Sequence, residues 1–146
     1  MKSEEDIVLS SKKIEADFVT ISFIKPRVVW VNFKKDCTIN VETGIKILSN
    51  AKQIIGKEDL PYLSLIDLKD LYVPITEFAK LMFGQFSPEK DLLLARAVVS
   101  TNLAQRIEMQ NFIGLHKPLV PTKLFMHQEE ALAWLDFHLE EYNKTL

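Results

Sequence analysis

The stretch from Pro61 to Phe83, PYLSLIDLKDLYVPITEFAKLMF, constrains this chain more than any other. Leu63, Leu65 and Ile66 form a short apolar run that starts after Pro61 and ends in an acid, Asp67. A run of this length, bounded by a proline and a charged turn, predicts a buried central strand over 61–67. Lys69 and Asp70 supply a polar turn, Leu71 and Tyr72 a second apolar pair, and Pro74 a break. Ile75, Phe78, Ala79 and Met82 then recur at helical spacing. Strand, loop and helix in that order place the loop at the carboxyl end of the strand, where open α/β sheets meet ligands and partners.

The flanking segments extend this unit on both sides. Residues 1–12 are polar apart from Ile7, Val8 and Leu9 and read as a tail or docked arm, which leaves 13–146 as one domain. From Phe18 to Ile24 the residues alternate, with Val19, Ile21 and Phe23 on one side. Arg27 to Phe33 is rich in β-branched and aromatic residues, as strands are. Only Lys25 and Pro26 separate the two runs, which predicts an antiparallel hairpin with the fixed φ of proline in its turn. Asn40 suits a helix N-cap and Gly56 a C-cap, with Val41, Ile45, Leu48 and Ile55 between them at spacings of three and four. Ser87 and Pro88 open a short turn before a strand that ends near Ser100. Ser100, Thr101 and Asn102 offer caps for a helix that carries Leu103, Ala104, Ile107, Gln110 or Asn111, and Leu115, and that Lys117 and Pro118 stop near Leu115. A last strand follows over 121–126, and a last helix over 128–142 carries Ala131, Leu132, Trp134, Leu135 and Leu139.

The element order is therefore β-β-α-β-α-β-α-β-α. It predicts an α/β fold with a five-stranded mixed sheet, an N-terminal antiparallel hairpin followed by parallel strands, and four helices. If consecutive strands are neighbours and crossovers are right-handed, the helices fall mainly on one face of the sheet. Side chains alternate across each strand. The aliphatic and small set Leu63, Leu65, Ala95, Ala97, Val99, Leu124 and Met126 suits helix packing. Tyr62, Ile66, Arg96, Val98 and Phe125, with Ser64 and Lys123, are then left on the bare face. That mixed set is a candidate dimer face, because a bare apolar patch wants a cover. A homodimer is the expected cover, and the Ile7–Leu9 arm the alternative.

Composition limits the function further. A chain of 146 residues is long enough for one domain that buries roughly 70% of its unfolded surface. Its net charge of −2 and lack of a basic stripe argue against nucleic acid, which is held largely through neutralised phosphates. The single cysteine, Cys37, allows no internal disulfide and fits a cytoplasmic location. No apolar run approaches the ~20 residues of a membrane span, so no transmembrane segment is expected. The acidic start, MKSEEDIVLSS, lacks a signal-peptide pattern.

Candidate chemistry is sparse. His127 and His138 are eleven positions apart on one predicted helix, about 16 Å along its axis. That separation is too great for a shared metal, and His116 lies elsewhere. Lys34 and Lys35 stand near Cys37, but no motif makes it a nucleophile. Asp67, Asp70 and Glu77 cluster around one loop and could include a general acid and base, but turn formation and helix capping explain them more simply. Gly44, Gly56, Gly84 and Gly114 are too scattered for a phosphate loop. Most aromatic residues read as core, with some available to line an apolar pocket between helices and sheet.

Four motifs fall in one order and spacing: IDLKDL (Ile66 to Leu71), NFIGLHKP (Asn111 to Pro118), PTKLF (Pro121 to Phe125), and Ala131 with Trp134 and Leu135. Over about residues 14 to 137 the chain resembles the STAS domains, the anti-sigma-factor antagonists and sulfate-transporter tails. Within them it looks closest to an uncharacterised bacterial branch also compared with the CRAL-TRIO lipid-binding fold. The resemblance implies a non-enzymatic regulatory or protein-interaction module without a cofactor. Its partner-binding loop would hold Asp67, Lys69, Asp70, Thr76 and Glu77, beside Thr101 and Asn102. The Asp-Ser-Ser-Gly motif whose serine is phosphorylated in regulatory STAS proteins is missing; Ile75, Thr76, Glu77 and Phe78 stand there instead. Thr76 is accordingly expected to cap a helix and not to act as a phosphosite. The CRAL-TRIO comparison implies the alternative, a binding module for a lipid or other apolar small molecule.

Overall fold

A computed structural model describes residues 13–15, 19–25, 27–34, 61–69, 71–73, 93–118 and 120–146. The helices expected near 40–56 and 75–83, the arm at residues 1–12, Cys37, Asp70, Thr76 and Glu77 lie outside the described residues. The described sheet has six strands in sequence order: β1 (Lys13–Glu15), β2 (Val19–Lys25), β3 (Val28–Phe33), β4 (Tyr62–Lys69), β5 (Leu93–Ser100) and β6 (Thr122–Phe125). Two helices are described, α1 (Leu103–His116) and α2 (Gln128–Asn143). The expected hairpin is present, with β2 antiparallel to β3. The strands β3, β4, β5 and β6 are mutually parallel, with β4 inside the sheet as its apolar run requires.

Six strands replace the expected five. The additional strand, β1, pairs antiparallel with β2 and sets Ile14 opposite Ile21. Its three residues are too few to show an alternating pattern, so composition alone does not reveal it. The central strand also runs further than expected, to Lys69. Asp67 and Lys69 therefore belong to the strand end and not to the loop beyond it. The register shifts between them, and Lys69 takes a left-handed φ of 40°.

Strand register divides the core into two layers. Ile21, Val31, Ile66, Val98 and Leu124 stand side by side across five strands. They pack in one layer with Met109, Phe112 and Ile113 of α1. The opposite layer contains Val28, Leu63, Leu65, Ala95, Ala97, Val99 and Phe125, beneath Ala131 and Leu135 of α2. Alanines at 95 and 97 let α2 lie close to β5, so Leu63, Leu65, Ala95, Ala97 and Val99 do meet a helix, whereas Leu124 lies in the opposite layer and Met126 is exposed. An ion pair between residues far apart in sequence, Lys25 Nζ to Asp136 at 2.7 Å, ties α2 to the end of β2.

The two described helices consequently lie on opposite faces, against the expectation of one. The handedness rule governs α1, a crossover between the parallel strands β5 and β6. It does not govern α2, which follows the last strand and feeds no further one. The bare-face assignment changes with it. Tyr62 and Val98 are buried, and Ile66 half-buried, in the layer shared with α1. Arg96 and Ser64 are buried as well. Phe125 pairs with Val99 and so belongs to the α2 layer, with Lys123 Nζ 5.5 Å from its ring centroid. A one-residue difference in register moves a strand's side chains to the other face.

Candidate functional site

The residues singled out at the carboxyl edge of β4 and β5 divide into a buried anchor and an exposed rim. Asp67 is the anchor, only 1% exposed. Register places it opposite Asn32 and one diagonal step from Trp30. Its Oδ2 accepts from Trp30 Nε1 at 3.1 Å and Asn32 Nδ2 at 3.3 Å, and stands 3.6 Å from Lys69 Nζ. Oδ1 is enclosed without a hydrogen-bond partner. Asp67 is thus a structural acceptor that ties β3 to β4. Trp30 and Asn32 cannot be matched to it from the sequence, since each lies more than thirty positions away.

Thr101 and Asn102 lie beside Lys69 at this edge. The backbone N–H and the hydroxyl of Thr101 both donate to the Lys69 carbonyl, at 3.0 and 3.1 Å. Asn102 is the N-cap of α1; its extended backbone lets Oδ1 accept from Gln105 N at 3.0 Å. The Asn102 N–H in turn donates to Ser100 Oγ at 3.3 Å. Gln105 is fully buried and donates from Nε2 to the Val73 carbonyl at 2.8 Å, which fastens residues 71–73 to α1. Sequence reading overlooked Gln105. Its signal is its place three residues after an Asn cap, where glutamine often serves the capping box; here the side chain turns to Val73 instead. Tyr72 adds a second tie by donating from its hydroxyl to Glu108 at 3.0 Å.

Among the described residues, this edge presents to solvent the Lys69 ammonium, with the side chain 58% exposed, the Tyr72 ring and Thr101. Of the acids Asp67, Asp70 and Glu77, only Asp67 is among the described residues, and it is enclosed. His127 and His138 do not converge. His127 is the N-cap residue of α2 but makes no side-chain cap bond, while His138 packs edge-on against Trp134 at 4.4 Å between ring centroids. Burial lowers the His138 pKa, and the nearby Glu141 carboxylate opposes that shift. No group of three potential metal ligands occurs among the described residues. The described aromatic residues do not line one pocket: Phe112 lies in the α1 layer, whereas Trp30, Phe125 and Trp134 lie in the α2 layer across the sheet. Among the described residues no helix is long and apolar enough to cross a membrane.

Comparison with known proteins agrees with this geometry. The model of the family DUF7793, a domain of unknown function, matches residues 22–139. A solved structure similar to this chain is an uncharacterised DUF3478-family protein with a SpoIIAA-like fold from Shewanella loihica PV-4. Its TM-score is 0.54 at 13% sequence identity, and the match covers 84% of this chain and 98% of that one. Likeness at that identity establishes the fold alone, and the fold is the STAS-like one the motifs implied. No curated protein matches the chain.

Proposed function

We propose the following role for this chain, which belongs to the DUF7793 family of domains of unknown function: a non-enzymatic, STAS-like protein-interaction module that meets its partner at the carboxyl edge of β4 and β5. One observation carries this reading. The polar side chains of that edge are used to hold its loops in place, with Asn102 capping α1, Thr101 on the Lys69 carbonyl and Gln105 on the Val73 carbonyl. Lys69 and Tyr72 are thereby presented on a fixed frame. A rigid rim of this kind binds with little ordering cost. The proposed module includes no serine switch, because the sequence after β4 lacks the Asp-Ser-Ser-Gly motif.

Site-specific photo-crosslinking in the native host tests the reading. A photoreactive residue at Tyr72 or Lys69 should capture one discrete protein, and the same group at Glu15, on the far edge strand, should not. Charge reversal at Lys69 should abolish the Tyr72 adduct while leaving the melting temperature within a few degrees. Equal capture at Tyr72 and Glu15, or none at either, would refute this location.

A further inference from the structure

A second surface lies at the opposite end of the strand order from β1. There β6 closes the described sheet, and its outer edge carries backbone groups that β5 does not use. Beside it an open groove of about 320 Å³ runs between α1 and the strand, lined by Leu103, Arg106, Ile107, Gln110, Asn111 and Leu124. Two of these form an apolar rim one helical turn apart: Leu103 is 69% exposed and Ile107 55% exposed. Exposed leucine and isoleucine so placed contribute nothing to the core that Met109 and Phe112 make on the other side of the helix.

Arg106 gives the groove its chemistry. Among the described residues its side chain has no hydrogen-bond or ion-pair partner, and its Nε is shut off from solvent. A buried donor without an acceptor is costly, and a charged one more so. The neighbouring acid on α1, Glu108, is engaged by Tyr72. A guanidinium presents a fork of donors that fits a carboxylate. Among the described residues the groove therefore combines an arginine whose enclosed Nε has no acceptor, an aliphatic rim and a strand edge that no further strand takes up.

We infer that this groove is a docking site for an extended acidic peptide of a partner protein. The segment adds as a further strand along the outer edge of β6. Side chains two apart on such a strand share one face. One glutamate or aspartate reaches Arg106, and aliphatic residues two positions to either side rest on Leu103, Ile107 and Leu124. Charge selects this occupant over a second copy paired through β6, because a two-fold axis at that edge would bring two Arg106 guanidiniums toward each other.

The test uses the full chain and a fluorescein-labelled seven-residue peptide, threonine throughout except isoleucine at positions two and six and glutamate at four. Versions with glutamine or lysine at position four serve as comparisons, and binding is read by fluorescence anisotropy. The glutamate peptide should saturate. Arg106→Gln should weaken it at least about ten-fold, the scale of one charge-assisted hydrogen bond. Binding of the glutamine peptide should hardly change. Ile107→Ser, at an exposed position, should weaken the glutamate and glutamine peptides alike. Amide chemical-shift changes should be confined to β6 and the first two turns of α1. Absence of saturation, equal affinity for the three peptides, or indifference to Arg106→Gln would each overturn the inference. So would self-association by light scattering that Arg106→Gln or Ile107→Ser disrupts, because the occupant would then be a second copy.

Discussion

Leu135→Ala probes the placement of α2 on the face opposite α1. Leu135 is fully buried, as is Ala131 one turn earlier, and both belong to the layer of Leu63, Leu65, Ala95, Ala97 and Val99. The substitution removes three carbons from this layer. At ~0.8 kcal/mol for each buried carbon, the transfer contribution alone is ~2.5 kcal/mol. The facing residues of β5, Ala95, Ala97 and Val99, are short or β-branched and sit on a hydrogen-bonded sheet, so they cannot collapse far into the space. The cavity left behind raises the expected loss to about 3–4 kcal/mol. Urea denaturation followed by circular dichroism measures it, with the slope required to match the parent so that only stability has changed. Phe137 lies on the same helix but is 53% exposed, and its replacement by alanine should cost under about 1 kcal/mol. If Leu135→Ala cost less than about 1 kcal/mol, or less than Phe137→Ala, α2 would not be docked through this stripe. The two-faced architecture would then be wrong.

Two further outcomes follow from single contacts. Asp67→Ala leaves Trp30 Nε1 and Asn32 Nδ2 without their acceptor and should cost about 1–3 kcal/mol; Asp67→Asn, which retains an acceptor oxygen, should cost less. Thermal melts that place the alanine variant level with the parent would remove Asp67 as the tie between β3 and β4. His127→Ser should instead stabilise the protein by about 0.5–1 kcal/mol, because residue 127 already has extended N-cap backbone angles, φ −126° and ψ 137°, but supplies no cap bond. Glu130 stands three residues on, so the serine would complete a capping box. A lower midpoint for this variant would show that His127 makes a contribution its cap geometry does not reveal.

What the sequence disclosed, and what it did not, follows from the range of the forces involved. The hairpin, the central strand and the Asn102 cap are set within a few residues of each other, by alternation, a bounding proline and a short polar side chain. Each could be placed without a partner. The α1 helix ends where expected too, with Lys117 in a left-handed C-cap just before Pro118. β1 escaped because three residues show no period, and its pairing with β2 is decided by Ile14 meeting Ile21. The face of β6 was misassigned for a related reason. Lys123, Leu124, Phe125 and Met126 offer apolar residues to both sides, and only pairing with β5 fixes which side is which. The Asp67 cluster joins residues from separate strands, so no local pattern announces it. Its acid was noticed at a strand end, whereas its partners, Trp30 and Asn32, read simply as strand residues.

The departure of α2 from the expected face and the groove beside β6 have one cause. A sheet whose strands follow in order, joined by right-handed crossovers, gathers its crossover helices on one side. Each helix of such a row is covered on its flank by the next. After β6 there is no next strand, and the chain crosses the edge to place Ala131 and Leu135 on the other side, over β5. Among the described residues α1 is the last crossover helix on its side. Leu103 and Ile107 occupy the flank that a further helix on that side would have covered, and Leu124 lies at the foot of the same step. By filling the second face, α2 buries Leu63, Leu65 and the two alanines, and it leaves the end of the first face open. An unpaired arginine on that open end, beside an edge strand, distinguishes the exposed leucine and isoleucine from the scattered apolar residues of an ordinary surface.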